Sequence, residues 1–303
     1  MDQLLQTAIS ILLASIPAIV WGVIFYRKDP VYEPRAMLTF MVGMISVIPM
    51  LVYKWSWDYI PQLNVFQFTD NFQTDVLQFS PYYFLPLGTI FAFMFVGILE
   101  EHLKHLVVAK TDKGFFRNID DAIEFSIIAA LGFSFIENVL YFYYIWEFQG
   151  TETLFISFVF RAIFSTFAHI LFSGIYGYFY GIAYFADPIW SEEIRQNRHP
   201  VIEWFHNVFH LKRSRVFATE MVSQGRFLAV TLHAGFNILL ELNVTWFMVP
   251  FLIFGYAYLN YLFKLKENHK AYGRLKGDYE VGHLHHWVWL FFNRKKEPER
   301  AKV

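Results

Sequence analysis

The sequence predicts an all-α protein, a polytopic transmembrane helix bundle of about seven spans, with its N-terminus outside and its C-terminus in the cytoplasm. Three observations support this fold class. The chain has 303 residues, of which 56% are hydrophobic and only 17% are charged, whereas soluble domains carry about 25% charged residues. Apolar runs long enough to cross a bilayer recur along the chain, and basic residues concentrate in alternate loops.

The apolar runs have the length of about 20 residues that crosses the hydrocarbon core. They lie near residues 5–26, 36–53, 84–108, 122–146, 153–185, 225–241 and 244–264. The first run has no basic segment before it, so we interpret it as a retained helix and not as a signal peptide. The loops after odd-numbered runs are basic, whereas "EFQGTET" and "ELNVT" after even-numbered runs contain no Lys or Arg. The positive-inside rule then gives the orientation stated above.

The composition also limits the chemistry. The chain contains no cysteine, which excludes disulfides, thiolate catalysis and cysteine-based zinc or iron–sulfur sites. Any metal must therefore bind His, Glu, Asp or Asn. The net charge of −1 is close to neutral, and no nucleic-acid partner is expected.

The third run contains "EEHLKH", with Glu100, Glu101, Lys104 and His105 within six positions. Each acid has a basic neighbour three or four residues away, on its own helix face. The two carboxylates point about 100° apart, so we expect one to be catalytic while the other orients it or anchors Lys104. The alternative is a charged cap at the membrane surface, because charges near helix ends reach the interface.

The fourth run places Glu137 and Asn138 between apolar residues on both sides, in "GFSFIENVLYF". Ser134 and Tyr141 share the Glu137 face and are expected to hydrogen-bond it. A charge in the middle of a membrane helix costs about 2.5–3.5 kcal/mol on insertion scales, so it usually marks a functional site. A purely structural role, with a protonated Glu137 joining helices, is the alternative.

The fifth and sixth runs carry further polar residues at helical spacing. Arg161, Ser165, His169 and Ser173 follow one another at intervals of four, which predicts one polar stripe on one helix face. His233 and Asn237 are also four apart. A lone histidine on an apolar helix is more often a packing residue than a ligand, but an arginine and a histidine on one intramembrane face favour function.

Carboxylates, histidines and an asparagine that meet inside a bundle suit hydrolysis of an acyl bond. A glutamate would take a proton from water, either unaided or on a metal, and His or Asn donors would stabilise the oxyanion. A site for zinc or another divalent metal is chemically available from Glu137, His169 and His233. These residues leave open whether the glutamate acts unaided or with a bound metal. The short tract "HLHH" at 283–286 is compositional and is interpreted as an interfacial segment.

Four segments in order resemble the PrsW family of intramembrane proteases, within the superfamily of CAAX prenyl endopeptidases and bacteriocin-processing proteins. The segments are "EEHLK" (100–104), "GFSFIENVLYF" (132–142), "RAIFSTFAHILFSGIYGYFYG" (161–181) and "LHAGFN" (232–237). The resemblance implies cleavage of membrane-anchored proteins such as anti-sigma factors. It also implies the catalytic residues, which would be Glu100, Glu101, Glu137, His169, His233 and Asn237, supported by Lys104, Asn138 and Arg161.

Two departures from the family pattern leave the metal question open. "IDDAIEF" (119–125) lacks the glycine expected before the second motif, and Glu137 stands where CAAX endopeptidases have a histidine. The resemblance covers roughly residues 84–241, which we take as the catalytic core of a single domain over residues 1–270. Residues 271–303 are expected to form a cytoplasmic tail at the membrane interface, and residues 186–224 to contain an amphipathic segment there.

The sequence therefore predicts an integral membrane protein, in the inner membrane of a bacterium, that binds a membrane-protein substrate within the lipid bilayer. The alternative function is a proton- or cation-coupled transporter, because intramembrane Glu, Arg and His also form proton relays. The aromatic segment 55–82 is expected on the outer face, where it could gate or recognise a substrate. The sequence gives no oligomeric state.

Overall fold

The computed structural model describes residues 3–25, 33–69, 76–80, 83–187, 189 and 213–265, and these residues are predominantly helical. The all-α prediction is confirmed for them, with one small hairpin as the exception. The elements are α1 (Gln3–Phe25), α2 (Glu33–Ile45), α3 (Ile48–Ser56), α4 (Val65–Thr69), β1 (Val76–Ser80), β2 (Tyr83–Pro86), α5 (Leu87–Thr111), α6 (Ile119–Phe160), α7 (Thr166–Tyr184), α8 (Arg213–Glu241) and α9 (Met248–Leu265).

The hairpin of β1 and β2 is antiparallel, with Val76 opposite Pro86 and Leu77 opposite Leu85. Its sequence is rich in aromatic and branched residues, which favour an extended backbone. β2 runs directly into α5 at Leu87. Part of the predicted outer segment 55–82 is therefore a strand pair, which the pattern of apolar runs did not predict.

Among the described residues, three helical stretches are long and apolar enough to cross a membrane, namely Gln3–Phe25, Pro34–Ser56 and the 66-residue stretch Ile119–Tyr184. α5 is also long enough, with 25 residues. Charged residues, among them Glu100, Glu101 and Lys104, make up a larger share of α5 than of these three stretches. The structure thus agrees with a helical membrane protein. The number of crossings and the orientation stay predictions.

The longest stretch is interrupted at Gly150, whose φ of 85° lies in the left-handed region that only glycine adopts easily. The two arms of α6 fold back on each other there, and the rings of Phe142 and Phe158 meet at 5.9 Å. The fourth and fifth predicted spans are these two arms, the second one continuing into α7. The glycine at the reversal therefore divides one long helical stretch into two antiparallel helices.

Helices α2 and α6 approach each other closely at two glycines. A Cβ atom on Gly43 would lie 2.5 Å from the carbonyl oxygen of Ala129, and one on Gly132 would overlap the carbonyl oxygen of Phe40. Small residues permit such backbone contact, which is the main source of helix association in lipid. The contact fixes α6, and with it Glu137, against the second helix.

The end of α5 is fixed by a buried carboxylate, Asp112. Its Oδ1 atom accepts hydrogen bonds from Thr39 Oγ1 at 2.8 Å and from Arg35 Nε at 3.2 Å. The guanidinium of Arg35 also lies 3.8 Å from the centre of the Phe115 ring. These contacts join the first turns of α2 to the C-terminal end of α5, the helix that carries the tandem glutamates.

The predicted sixth span is longer than expected, because α8 starts at Arg213 rather than near residue 225. An apolar run marks only the part of a helix that can lie in lipid, whereas the helix itself continues through the polar segment "RSRVFATEMVSQ". The predicted interfacial segment falls mostly outside the described residues. The tail 271–303 and the "HLHH" tract lie wholly outside them.

We expect Gly132→Ala to lower the free energy of unfolding by about 1–3 kcal/mol, the usual cost of overpacking, because the new methyl group overlaps a backbone atom of α2. Denaturant titration in detergent micelles measures this. The matched control is Gly235→Ala in α8, where the added Cβ meets no atom within 4 Å. Equal stability of the two variants would show that the α2–α6 contact is not tight.

Candidate active site

Polar side chains from four helices meet in one buried cluster. α5 contributes Glu100, Glu101 and Lys104, which are 8%, 5% and 2% exposed. The alternative that these charges form a cap at the membrane surface is therefore wrong, since they point into the bundle. The other members are Glu137 of α6, His169 of α7 and His233 of α8.

Glu101 lies at the centre of the cluster. Its Oε1 atom accepts a hydrogen bond from Lys104 Nζ at 2.7 Å and contacts His233 Nδ1 at 2.8 Å. An ionised carboxylate only accepts hydrogen bonds, so His233 donates through Nδ1–H. In the neutral imidazole, the lone pair is then on Nε2. Glu101 thus fixes both the orientation and the tautomer of His233.

Lys104 links this pair to the second histidine. Its Nζ atom lies 2.7 Å from His169 Nδ1, and the ammonium group has no acceptor, so His169 accepts this hydrogen bond. The proton of neutral His169 is then on Nε2, which lies 2.8 Å from Glu137 Oε2 in an ion-pair contact. The ammonium also lies 4.6 Å from the centre of the Phe133 ring. One buried lysine therefore orients an acid and a histidine.

Glu137 is held from a second side by Arg161, whose Nη2 atom lies 3.1 Å from Glu137 Oε1. Arg161 Nε donates to Asn138 Oδ1 at 2.7 Å, and its guanidinium lies 4.2 Å from the Tyr141 ring centre. The side chain of Glu137 is 32% exposed, whereas that of Glu100 is 11% exposed. Glu137 therefore has the most exposed acidic side chain of the cluster, although its Oε2 atom is buried.

The prediction that Ser134 and Tyr141 hydrogen-bond Glu137 is wrong within the described residues. Ser134 Oγ instead lies 3.5 Å from Asn138 Nδ2, and Tyr141 contacts Arg161 through its ring. Both residues surround the Glu137–Arg161 pair without touching the carboxylate. Helical spacing identified the correct neighbourhood but not the contacts.

The predicted polar stripe on the fifth run is not one regular helix, because residues Arg161–Ser165 form a π-turn. In a regular α-helix, eight residues rotate by about 800°, which would place Arg161 and His169 about 80° apart. The wider turn removes about 100° of this rotation by accommodating one extra residue. Both side chains therefore reach the same carboxylate, Glu137, at 3.1 and 2.8 Å.

Glu100 has the features of a metal ligand. Its Oε2 atom is buried without a hydrogen-bond partner, 3.6 Å from His233 Nε2 and 3.7 Å from Lys104 Nζ. One ligand atom each from Glu100, His169 and His233 lies within 4.8 Å of the others. The sequence suggested Glu137 as the acid of this set, but Glu137 is not a member of the group among the described residues, since its carboxylate pairs with Arg161.

Asn237 lies one turn beyond His233 on the same face of α8 and is half-buried. In the described part of the chain it makes no hydrogen bond to the cluster. Two further residues contact residues of the predicted site: Ser173, which the sequence placed on the polar stripe, and Thr166, which was not predicted. Ser173 Oγ lies 3.5 Å from Glu101 Oε2, and Thr166 Oγ1 accepts from Asn138 Nδ2 at 3.2 Å. Position 173 was visible in the stripe, whereas nothing local distinguished Thr166.

Comparison with known proteins gives one match. The protein-family model described as PrsW family intramembrane metalloprotease matches residues 33–263. The matched region includes every member of the cluster and begins at α2, so α1 lies outside it. Neither the curated proteins nor the solved structures contain a match to the chain.

We expect Lys104→Met to lower the free energy of unfolding by about 3–5 kcal/mol, because it leaves the buried carboxylate of Glu101 without its cation. Denaturant titration measures the loss. The double variant Lys104→Met with Glu101→Gln should recover part of it, since the unpaired charge is removed. Lys110→Met, at an exposed position of the same helix, is the control. A Lys104→Met variant as stable as this control would contradict the buried pairing.

Proposed function

The chain belongs to the PrsW family of intramembrane metalloproteases, and on that premise we propose how its residues divide the work of peptide hydrolysis. The observation that carries the proposal is the convergence of Glu100, Glu101, Glu137, His169 and His233 from four helices. Such residues are costly inside a membrane protein and are kept where they have a function. Each carboxylate has a different set of partners, so each is assigned a different role.

Glu100, His169 and His233 would hold the metal, and two imidazoles with one carboxylate are a set that suits zinc. The fit rests on Glu100 Oε2 and His233 Nε2, two atoms with lone pairs that face each other at 3.6 Å without a hydrogen bond. A cation between such atoms satisfies both. When bound, the metal lowers the pKa of a water molecule and polarises the substrate carbonyl. His169 would give one ring nitrogen to the metal, and that nitrogen would exchange its contact with Lys104 or with Glu137 for the metal.

Glu101 and Lys104 act as positioning residues. Glu101 holds His233 by Nδ1–H, which keeps Nε2 directed at Glu100, and this carboxylate–histidine arrangement is common behind metal-binding histidines. Lys104 holds Glu101 and His169 at the same time. The tandem glutamates therefore have separate roles, one as a ligand and the other as the support of a ligand.

Glu137 is the general base. It is the most exposed carboxylate of the cluster, and Arg161 lies 3.1 Å from its Oε1 atom. In the reaction, Glu137 takes a proton from the water that attacks the peptide carbonyl, and the carbonyl oxygen becomes negatively charged. The C–N bond then breaks as Glu137 returns the proton to the leaving amine nitrogen. Asn237, on the His233 face, donates an amide N–H to the oxyanion.

The substrate class is a membrane-anchored protein, such as an anti-sigma factor, cleaved in the inner membrane of a bacterium. The family match supports the protease over the transporter alternative. The predicted orientation supports access of the substrate from the cytoplasmic half of the membrane. The loop after α5 is basic, which places it in the cytoplasm, and the tandem glutamates lie in the half of α5 next to this loop.

Two substitutions separate the roles of the carboxylates. Glu137→Gln should keep the metal and lower kcat by about 10²–10⁴-fold, the usual contribution of general acid–base catalysis. Glu100→Gln should lose the metal. Metal content per chain by mass spectrometry, after dialysis against limiting zinc, and the Co²⁺ absorption spectrum measure binding. His102→Ala, at an exposed position of the same helix, is the control. Metal loss in Glu137→Gln with retention in Glu100→Gln would reverse the two assignments.

The reaction itself is tested without a known substrate. The purified protein is reconstituted in liposomes with a membrane-protein extract of the expression host, and newly formed N-termini are identified by mass spectrometry. We expect new termini in or next to membrane spans, absent with Glu137→Gln and with a chelator. An identical set of termini with and without the active protein would refute the proposed protease function.

A further inference from the structure

The indole of Trp21 connects α1 to the helical segment that carries Arg161 and His169. Its Nε1–H donates to the carbonyl oxygen of Ala162 at 2.8 Å. The ring packs against Phe167 at 5.2 Å and Phe25 at 6.0 Å between ring centres. The hydrogen bond therefore has a defined geometry, held from both sides by aromatic contacts, and it ends inside the π-turn Arg161–Ser165.

The carbonyl of Ala162 is available because of the π-turn. In a regular α-helix it would accept from the N–H of Thr166, four residues later. Here the N–H of Thr166 bonds to the oxygen of Arg161 instead. The Oγ1 atom of Thr166 also bonds to that oxygen, at 3.0 Å. The Ala162 oxygen has thus lost its usual donor, and in a lipid environment no bulk water replaces it.

The π-turn determines where Arg161 lies. The extra residue rotates Arg161 onto the side of His169, so that both contact Glu137. A relaxed α-helical turn would give Ala162 its regular partner and would move Arg161 away by about 100°. The donor that stabilises the free carbonyl therefore favours the turn that keeps Arg161 on the carboxylate.

We propose that Trp21 is a positioning residue for the reaction: it holds the π-turn and, through it, keeps Arg161 against Glu137. The proposal rests on the function proposed above for Glu137. It assigns a role to α1, which lies outside the residues that match the family. It also explains why a polar contact joins two otherwise apolar helices at this point.

The first test measures the hydrogen bond without any reaction. In protein labelled with ¹⁵N-tryptophan, the Trp21 indole resonance is assigned by its absence in Trp21→Phe. We expect it downfield of the resonance of Trp246, which is 70% exposed, and slower in deuterium exchange by at least about tenfold. Deletion of Ile163, a 41% exposed residue of the turn, restores a regular helix and should abolish both differences. The proposal is overturned if the Trp21 indole exchanges as fast as that of Trp246, or if the deletion of Ile163 changes neither its resonance nor its exchange rate.

The second test measures catalysis, with the membrane-extract cleavage assay and one of its products as the readout. Trp21→Phe keeps an aromatic ring and should lower kcat by about tenfold or more with KM unchanged, since small displacements of a catalytic group have large effects. Combined with Arg161→Gln it should cause no further loss, because Trp21 acts through Arg161. Trp246→Phe is the matched control and should keep full activity.

The outcomes are distinguishable. The positioning role would be overturned if the loss of kcat in the double variant equalled the product of the two single losses. It would also be overturned if the kcat of Trp21→Phe equalled that of Trp246→Phe. If the unchanged protein cleaves nothing, the proposed function fails, and the resonance and exchange data alone decide whether Trp21 holds the turn. If Trp21→Phe does not fold, Trp21→Tyr supplies the assignment of the resonance, and the deletion of Ile163 supplies the comparison.

Discussion

The carboxylate of Glu101 is the contact on which the rest of the cluster depends. It accepts from Lys104 and from His233 through a single oxygen atom, so one residue of α5 fixes a cation of its own helix and an imidazole of α8. Lys104 extends the same network to His169 of α7, and His169 extends it to Glu137 of α6. A continuous chain of hydrogen bonds and ion-pair contacts thus connects all four helices, and each member limits the orientations of the next.

The charges of the cluster do not cancel. With all three acids ionised, Glu100, Glu101 and Glu137 face two cationic groups, Lys104 and Arg161, which leaves one uncompensated negative charge when the histidines are neutral. Isolated buried charges are strongly unfavourable. Glu101 and Glu137 lie 2.7 and 3.1 Å from Lys104 and Arg161, whereas the Oε2 atom of Glu100 lies 3.7 Å from Lys104 and has no hydrogen bond. The imbalance is therefore localised at the residue that is best placed to receive a metal ion.

The sequence predicted the polar members of the site because charges inside apolar runs are conspicuous, and spacing placed Glu100, Glu101 and Lys104 on contacting faces. It did not predict which carboxylate lies with the two histidines in the possible metal site, since this depends on how α5 and α6 are rotated against their neighbours. Nor did it predict the π-turn. Residues of that turn bond to Asn138 and Trp21, which are distant in the sequence, whereas helical periodicity assumes a constant rotation per residue.

The reversal at Gly150 has a consequence for how the chain enters the membrane. Glu137 and Arg161 lie on the two arms on either side of it and pair with each other. Both arms are synthesised before α8, so the acid and the base can neutralise each other in the translocon as a helical hairpin, well before His233 is made. Pairing within this one hairpin does not require α8, and it lowers the cost of burying the Glu137 carboxylate.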